Sequence, residues 1–315
     1  MFARMTNKEL YRQYIQQLQI LYDAHEAAAI TERVFESVAG LQRFDILKHP
    51  EKVVDNKIYG KLEDCLAALL QHKPVQYVLG EAWFYKMKLK VSEQVLIPRP
   101  ETEELVQLVI DSYSMSMSKE QSTISKSVLP DGLQLPDASS RIAMLDIGTG
   151  SGCIAIAVAK HLPGVIMFAI DVSEGALSMA KENAAQQEVP IDFLQLDFLD
   201  KNTWQNLPQV DVIISNPPYI PVNESGKLEK NVTAFEPHTA LFVPTHEPLI
   251  FYVKIAAFGK THLKSNGKIY VEINEDLAKD TREVFEQFYS VEIRKDIFGK
   301  ERMLVASPTI SDHKL

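Results

Sequence analysis

The stretch Ile213-Ile214-Ser215-Asn216-Pro217-Pro218-Tyr219 concentrates residue types that can do chemistry. The apolar run from Val210 to Ile214 reads as a buried strand. It has to stop at Asn216-Pro217-Pro218, because proline brings no backbone donor to a ladder. An amide side chain, two rigid turns and an aromatic ring are thereby presented at the carboxyl end of a strand. In open α/β sheets that is where ligands bind. Taken alone, the tetrapeptide is equally readable as a stiff strand-to-loop turn.

A second stretch decides between these readings. Asp146-Ile147-Gly148-Thr149-Gly150-Ser151-Gly152 lies between a predicted strand and a predicted helix. Glycines are needed where the chain turns sharply and a ligand lies against the backbone. The spacing is Gly-x-Gly-x-Gly. A nicotinamide fingerprint wants Gly-x-Gly-x-x-Gly, and its last place holds Cys153 here. No Gly-Lys-Ser/Thr follows, which excludes a phosphate-binding P-loop. Asp171 ends the next strand, where a carboxylate can accept both ribose hydroxyls of an adenosine; the cap of the following helix belongs more naturally to Ser173. Asp197 and Phe198 end the third strand. Asp197 can accept from an exocyclic adenine amine and Phe198 can pack on the ring, although Asp after a strand is also common turn chemistry.

The elements around these residues follow from periodicity. From Thr6 to about His72 the pattern is helical: Leu10 to Leu21, a helix capped by Asp23 and ended by Gly40, a short one over Arg43 to Lys48, and one through Leu62 to Leu70. Lys73-Pro74 breaks the last. Trp83 to Ile97 turns β-like, with Ser92-Glu93-Gln94 read as a hairpin turn. Pro100 suits a first helical turn, and Glu101, Glu103 and Glu104 suit its positive end. This leaves Arg99, held rigidly between two prolines, unexplained. Ser112 to Ser140 is Ser-rich and reads as a surface loop or disordered insert. From Arg141 strands alternate with helices. Strands are predicted at 142–147, 165–170, 191–196, 210–214 and 267–273, and a final antiparallel pair at 290–297 and 303–306 turns through Phe298-Gly299-Lys300. The expected fold is α/β: a doubly wound, mostly parallel seven-stranded sheet, with a small all-helical amino-terminal domain over 1–75, a hairpin connector over 76–100 and a sheet domain over 101–315.

Bulk properties narrow the function. The net charge of −9 argues against a general nucleic-acid binder, which needs a basic face to release counterions. No apolar run reaches transmembrane length and no basic region precedes an apolar stretch at Met1, so a cytoplasmic protein without membrane contact is expected. Cys65 and Cys153 are far apart and match no metal spacing, which predicts reduced thiols and no metal.

Together these elements resemble the class I S-adenosylmethionine-dependent methyltransferases. That resemblance implies S-adenosylmethionine as cofactor, its methionine tail near Gly148, Thr149, Gly150, Ser151 and Gly152, and its methyl aimed at Asn216. An Asn-Pro-Pro-Tyr sequence at this place is similar to enzymes that methylate a planar, conjugated nitrogen, either an adenine amine or a glutamine amide. Such a nitrogen is a poor nucleophile. The Asn216 side-chain oxygen and the Pro217 carbonyl can each accept one of its N–H groups, fix it in line, and stabilise the positive charge that develops. Tyr219 can stack on the planar group.

Lys73-Pro-Val-Gln-Tyr-Val-Leu-Gly80, Trp83-Phe84, Leu96-Ile-Pro-Arg-Pro-Glu-Thr-Glu103, the glycine turn, Asn216-Pro-Pro-Tyr-Ile220 and Phe235-Glu-Pro-His-Thr-Ala-Leu241 resemble the peptide chain release factor glutamine methyltransferases. The likeness runs from about Thr6 to Ala306. It implies methyl transfer to the glutamine of the Gly-Gly-Gln loop of class 1 release factors by a monomer, with the helical domain helping to grip the factor. Arg99, Glu101, Asn216, Pro217, Pro218, Tyr219, Phe235 and Glu236 would meet the substrate. The 112–140 stretch is longer than the family's usual path, and Phe198 stands where relatives carry Trp. Two rivals are an adenine methyltransferase acting on DNA or RNA, which should carry a basic face, and a non-catalytic protein on the same scaffold, which should have a damaged turn or tetrapeptide.

Overall fold

The computed structural model describes residues 5–124 and 141–309. The chain forms two compact units, Met1–Glu81 with Leu228–Phe235 and Ala82–Lys227 with Glu236–Leu315.

The smaller unit is helical. Helix α1 (Asn7–Leu18) starts at a capping box in which Thr6 and Glu9 satisfy each other's backbone amides. Helix α2 (Ala24–Ala39) begins at Asp23, whose carboxylate accepts from the amides of His25 and Glu26, and ends at Gly40 with φ +64°. Helices α3 (Arg43–Lys48) and α4 (Asn56–Leu69) follow. A fifth helix, α5 (Val75–Leu79), follows where the sequence predicts only a break; Pro74 stands at its N-cap, as a residue without a donor can. Leu10, Tyr14, Leu18, Val34, Phe35, Leu62 and Leu69 are fully buried together.

Strands β1 (Glu81–Phe84) and β2 (Met87–Lys90) make the hairpin. Its turn is Tyr85-Lys86, not Ser92-Glu93-Gln94. Both turn residues have positive φ, +48° and +62°, as a type I′ turn demands. Neither is a turn former; the Tyr85 amide is held by Glu103 Oε1 at 2.8 Å. Helix α6 (Pro100–Ile124) corrects the reading of Ser112 as the start of a loop. Ser112 stays helical and its hydroxyl donates to the Leu108 carbonyl at 2.8 Å. The rest of the expected insert, 125–140, lies outside the described residues.

The sheet domain then runs β3 (Ala143–Ile147), α7 (Cys153–His161), β4 (Ile166–Asp171), α8 (Glu174–Gln186), β5 (Asp192–Gln195) and β6 (Val210–Ser215). Next come β7 (Ile220–Pro221), α9 (Lys230–Phe235, part of the smaller unit), α10 (His238–Leu241) and β8 (Phe242–Val243). The chain closes with α11 (Ile250–His262), β9 (Leu263–Glu272), α12 (Ala278–Glu286), β10 (Tyr289–Lys295) and β11 (Glu301–Pro308). The expected seven-stranded sheet is present in the order β10-β11-β9-β6-β3-β4-β5. Only β11 runs against the other strands, pairing antiparallel with both β10 and β9. Residues of α6, α7 and the β1–β2 hairpin bury one face of it, and residues of α11 and α12 bury the other. The strand order reverses between β3 and β6, where an open sheet leaves a crevice.

Candidate active site

Register brings the site together. Ser215 pairs with Ile147 on β3 and with Val271 on β9. The next residue on each strand therefore emerges at one level: Gly148, Asn216 and Glu272. The Ser215 hydroxyl donates to the Ile147 carbonyl at 2.7 Å and ties β6 to β3 at that edge.

A cavity of about 360 Å³ opens at this end of the sheet. Gly148, Gly150, Asp171, Asp197, Phe198, Asn216, Pro217 and Pro218 are on its wall, together with apolar side chains of Ile147, Ile170 and Leu196. Gly148 and Gly150 have φ of +74° and +55°, and a Cβ on either would meet no atom within 4 Å. Glycine here leaves room rather than relieving a clash. Gly152 differs: a Cβ there would lie 2.9 Å from Ile156 Cδ1 and 3.1 Å from Ala180 Cβ, so it serves helix packing. Thr149 and Ser151 are buried. The Thr149 hydroxyl donates to Asp146 Oδ2 at 2.7 Å. Asp146 is fully buried, and burial pushes its pKa up to about 7. Asp146 and Thr149 thus build the turn from beneath, and its cavity face is glycine backbone.

Asp171 accepts from Gly150 N and from Ser173 N, both at 2.9 Å. Burial raises its pKa and these amides oppose the rise. Ser173 caps α8, as expected. Asp197 is exposed on the wall and takes the Leu199 amide at 2.9 Å. Phe198 stacks on Trp204 with ring centroids 5.5 Å apart and meets Phe258 edge-on, so little of the ring is open. Glycine backbone, two acids and an apolar slot are a chemical match for an adenosine bearing a charged tail.

Asn216 Nδ2 donates to Thr102 Oγ1 at 3.0 Å, and Thr102 Oγ1 donates to Glu272 Oε2 at 2.7 Å. The Tyr219 hydroxyl donates to Glu272 Oε1 at 3.4 Å. Glu272 is buried, and burial pushes its pKa up to about 7. Tyr219 is not on the cavity wall; it packs beside the core on the α11 face, and burial raises its pKa. Arg99 and Glu236 pair with each other at 2.6 Å, the Glu236 side chain being 1% exposed. Glu236 also accepts from Ile97 N at 3.4 Å. The pair therefore joins the segment before α6 to the segment before α10, both of which contribute to the cavity wall. Glu101 is half-buried in the first turn of α6, and Phe235 ends α9 in the smaller unit.

The family model described as "PrmC N-terminal domain" matches residues 9–80, and "Methyltransferase small domain" matches 125–234. A release factor glutamine methyltransferase of Flavobacterium psychrophilum is 39% identical over 302 residues, covering 95% of this chain and 98% of the relative. The chain belongs to the release factor glutamine methyltransferase family. A family member from Bacteroides thetaiotaomicron is 37% identical over 297 residues, covering 93% of this chain and 98% of its own. One from Lactococcus lactis is 38% identical over 257 residues, covering 81% and 84%. Among the described residues no helix is long and apolar enough to cross a membrane.

Within this family member, Thr102 and Glu272 escaped the sequence reading. Thr102 lies in Ile97-Pro-Arg-Pro-Glu-Thr-Glu103, where Arg99 and Glu101 carry the stronger chemical signal. Glu272 shows in the sequence as nothing more than an acid that ends an apolar strand. Their contact spans 170 residues of chain and has no signature in spacing.

Proposed function

We propose that this chain transfers a methyl group from S-adenosylmethionine to the side-chain amide nitrogen of the glutamine in the Gly-Gly-Gln loop of class 1 release factors. The observation that carries the reading is Asn216, held at the cavity wall through its Nδ2 so that its Oδ1 is left to accept.

Gly148 and Gly150 would hold the methionine tail against bare backbone, Asp171 the ribose hydroxyls, and Asp197 the adenine amine, with Ile170 and Leu196 flanking the ring. When bound, S-adenosylmethionine supplies an electrophilic methyl. The chain's own residues then have a narrow task. A glutamine nitrogen is a weak nucleophile because its lone pair is delocalised into the carbonyl. Asn216 Oδ1 and the Pro217 carbonyl each accept one of its N–H groups, which fixes its approach and stabilises the charge that grows on it. Pro217 and Pro218 hold that carbonyl rigidly. The alkylated nitrogen becomes acidic and loses its proton to an acceptor or to water, so no strong base is needed. Tyr219, with its hydroxyl on Glu272, anchors the turn from behind, and the Arg99–Glu236 pair fixes two wall segments in place.

The deciding experiment incubates the protein with methyl-labelled S-adenosylmethionine and either a class 1 release factor, the same factor with its Gly-Gly-Gln glutamine replaced, or DNA. Label on the first alone is expected. Label on DNA would favour the adenine reading, against which the net charge of −9 counts.

A further inference from the structure

A carboxamide can face a ligand with either end, and only its oxygen accepts a substrate N–H. Among the described residues, the network behind Asn216 settles which end faces out. The Thr102 hydroxyl has one hydrogen, and it lies on Glu272 Oε2 at 2.7 Å. Thr102 can then offer Asn216 only lone pairs. Asn216 must turn its NH₂ toward Thr102, as it does at 3.0 Å, and its Oδ1 away. Glu272 is also committed on its other side, where Oε1 accepts from the Tyr219 hydroxyl at 3.4 Å. Accepting at both oxygens is what an ionised carboxylate does and a carboxamide cannot.

The groups facing Glu272 come from five elements. Thr102 and Glu101 are on α6, Tyr219 follows β6, and Tyr252 on α11 donates to the Glu272 backbone carbonyl at 3.1 Å. Arg302 on β11 supplies the opposing positive charge, and Cys153 on α7 lies within electrostatic reach. Thr102 and Glu272 are each 2% exposed, so water does not compete for these bonds.

We propose that Thr102 and Glu272 are positioning residues that set the polarity of the Asn216 carboxamide, directing its Oδ1 to the substrate nitrogen. This rests on the amide-methylation reading above and deepens it. Neither residue touches the reacting atoms. If the hydroxyl is lost, or its hydrogen is turned toward Asn216, the amide can rotate and present NH₂ to another NH₂, which repels the substrate.

The test uses the full chain and three substitutions: Thr102→Val, which keeps the shape and removes the hydroxyl; Thr102→Ser, which restores it; and Glu272→Gln. Methylation of a class 1 release factor is followed with kcat and KM separated, and thermal melts check folding. Thr102→Val should lower kcat roughly tenfold or more with KM nearly unchanged, because alignment and not binding is lost. Thr102→Ser should recover most of it. Glu272→Gln should fall between, since Gln can satisfy only one of the two donors. A second readout needs no turnover. The Asn216 side-chain NH₂ signals, identified by their loss in Asn216→Ala, should exchange with water faster in both Thr102→Val and Glu272→Gln than in the parent chain. A parent-like kcat in folded Thr102→Val, no recovery in Thr102→Ser, or unchanged amide exchange overturns the proposal. A parent chain that methylates no release factor would instead overturn the substrate reading, and the exchange measurement would still decide the orientation of Asn216.

Discussion

Gly150 donates its backbone N–H to Asp171 Oδ2 at 2.9 Å, locking the turn after β3 to the end of β4. The same carboxylate holds the Ser173 amide through Oδ1, so one side chain fixes the glycine turn and the start of α8 while each oxygen keeps a lone pair for a ligand. Asp171→Ala should therefore do two things at once. A charge-assisted bond is worth roughly 1.5–3 kcal/mol, so cofactor affinity should fall about ten- to a hundredfold. The turn should also loosen, which lowers the melting temperature. Calorimetric titration with S-adenosylmethionine beside a thermal melt reads both; unchanged affinity would remove Asp171 from the cofactor site.

Arg99 and Glu236 were read from the sequence as substrate contacts, and the structure sets them on each other at 2.6 Å. Among the described residues, Arg99→Ala would leave the buried Glu236 carboxylate with the Ile97 amide as its hydrogen-bond donor. Breaking a buried pair from one side costs about 3–5 kcal/mol. Arg99 is itself 33% exposed, so a loss of about 1–3 kcal/mol in urea unfolding is expected after discounting for solvent screening. Stability equal to the parent chain would mean that the pair holds nothing together.

The three glycines of the turn should respond differently to one added methyl. Gly152→Ala forces a Cβ to 2.9 Å from Ile156 and 3.1 Å from Ala180 at a φ of +82°, so overpacking and left-handed strain add up to a loss on the order of 3 kcal/mol. Gly148→Ala meets no neighbour within 4 Å and should cost about 1–2 kcal/mol from its φ of +74° alone. Its methyl would instead stand in the cavity, so cofactor binding should suffer more than stability. Denaturant unfolding and cofactor titration on both variants separate these outcomes; equal stability losses would contradict the division of labour.

Local physics explains what could be read in advance. The strands of the sheet announce themselves as apolar runs, and the Asp23, Ser173 and Gly40 caps as residue types with a fixed job. Gly148, Gly150 and Asn216 were legible as residues that follow the carboxyl ends of strands, and the structure places all three on the cavity wall. What stayed hidden was set by distant partners. The hairpin turn falls on Tyr85-Lys86 because Glu103 holds the Tyr85 amide, overriding residues that would not choose positive φ. Helix α6 runs on to Ile124 through serines that the composition alone assigned to a loop. Thr102 and Glu272 meet only after β9 pairs with β6.

Glu272 should leave a mark on the pH dependence of stability. Burial raises its pKa from 4.5 to about 7 in the folded chain, so folding favours its protonated form. The stabilisation this gives is fully present below pH 4.5, declines as the unfolded chain ionises first, and is lost as pH rises through about 7. Glu272→Gln does not titrate there, while Asp146, also raised to about 7, remains in both chains and cancels in the comparison. The melting temperature of Glu272→Gln relative to the parent should therefore climb between pH 5 and pH 8. Above pH 7 the parent keeps a buried carboxylate at a cost in stability, and in return both Thr102 and Tyr219 find an acceptor. Thermal melts of the two chains across that range are the measurement. A difference that stays flat or falls with pH would mean that burial does not raise the Glu272 pKa; one that keeps climbing beyond pH 8 would mean that Glu272 does not carry its charge in the interior, and the polarity assigned to Asn216 would lose its source.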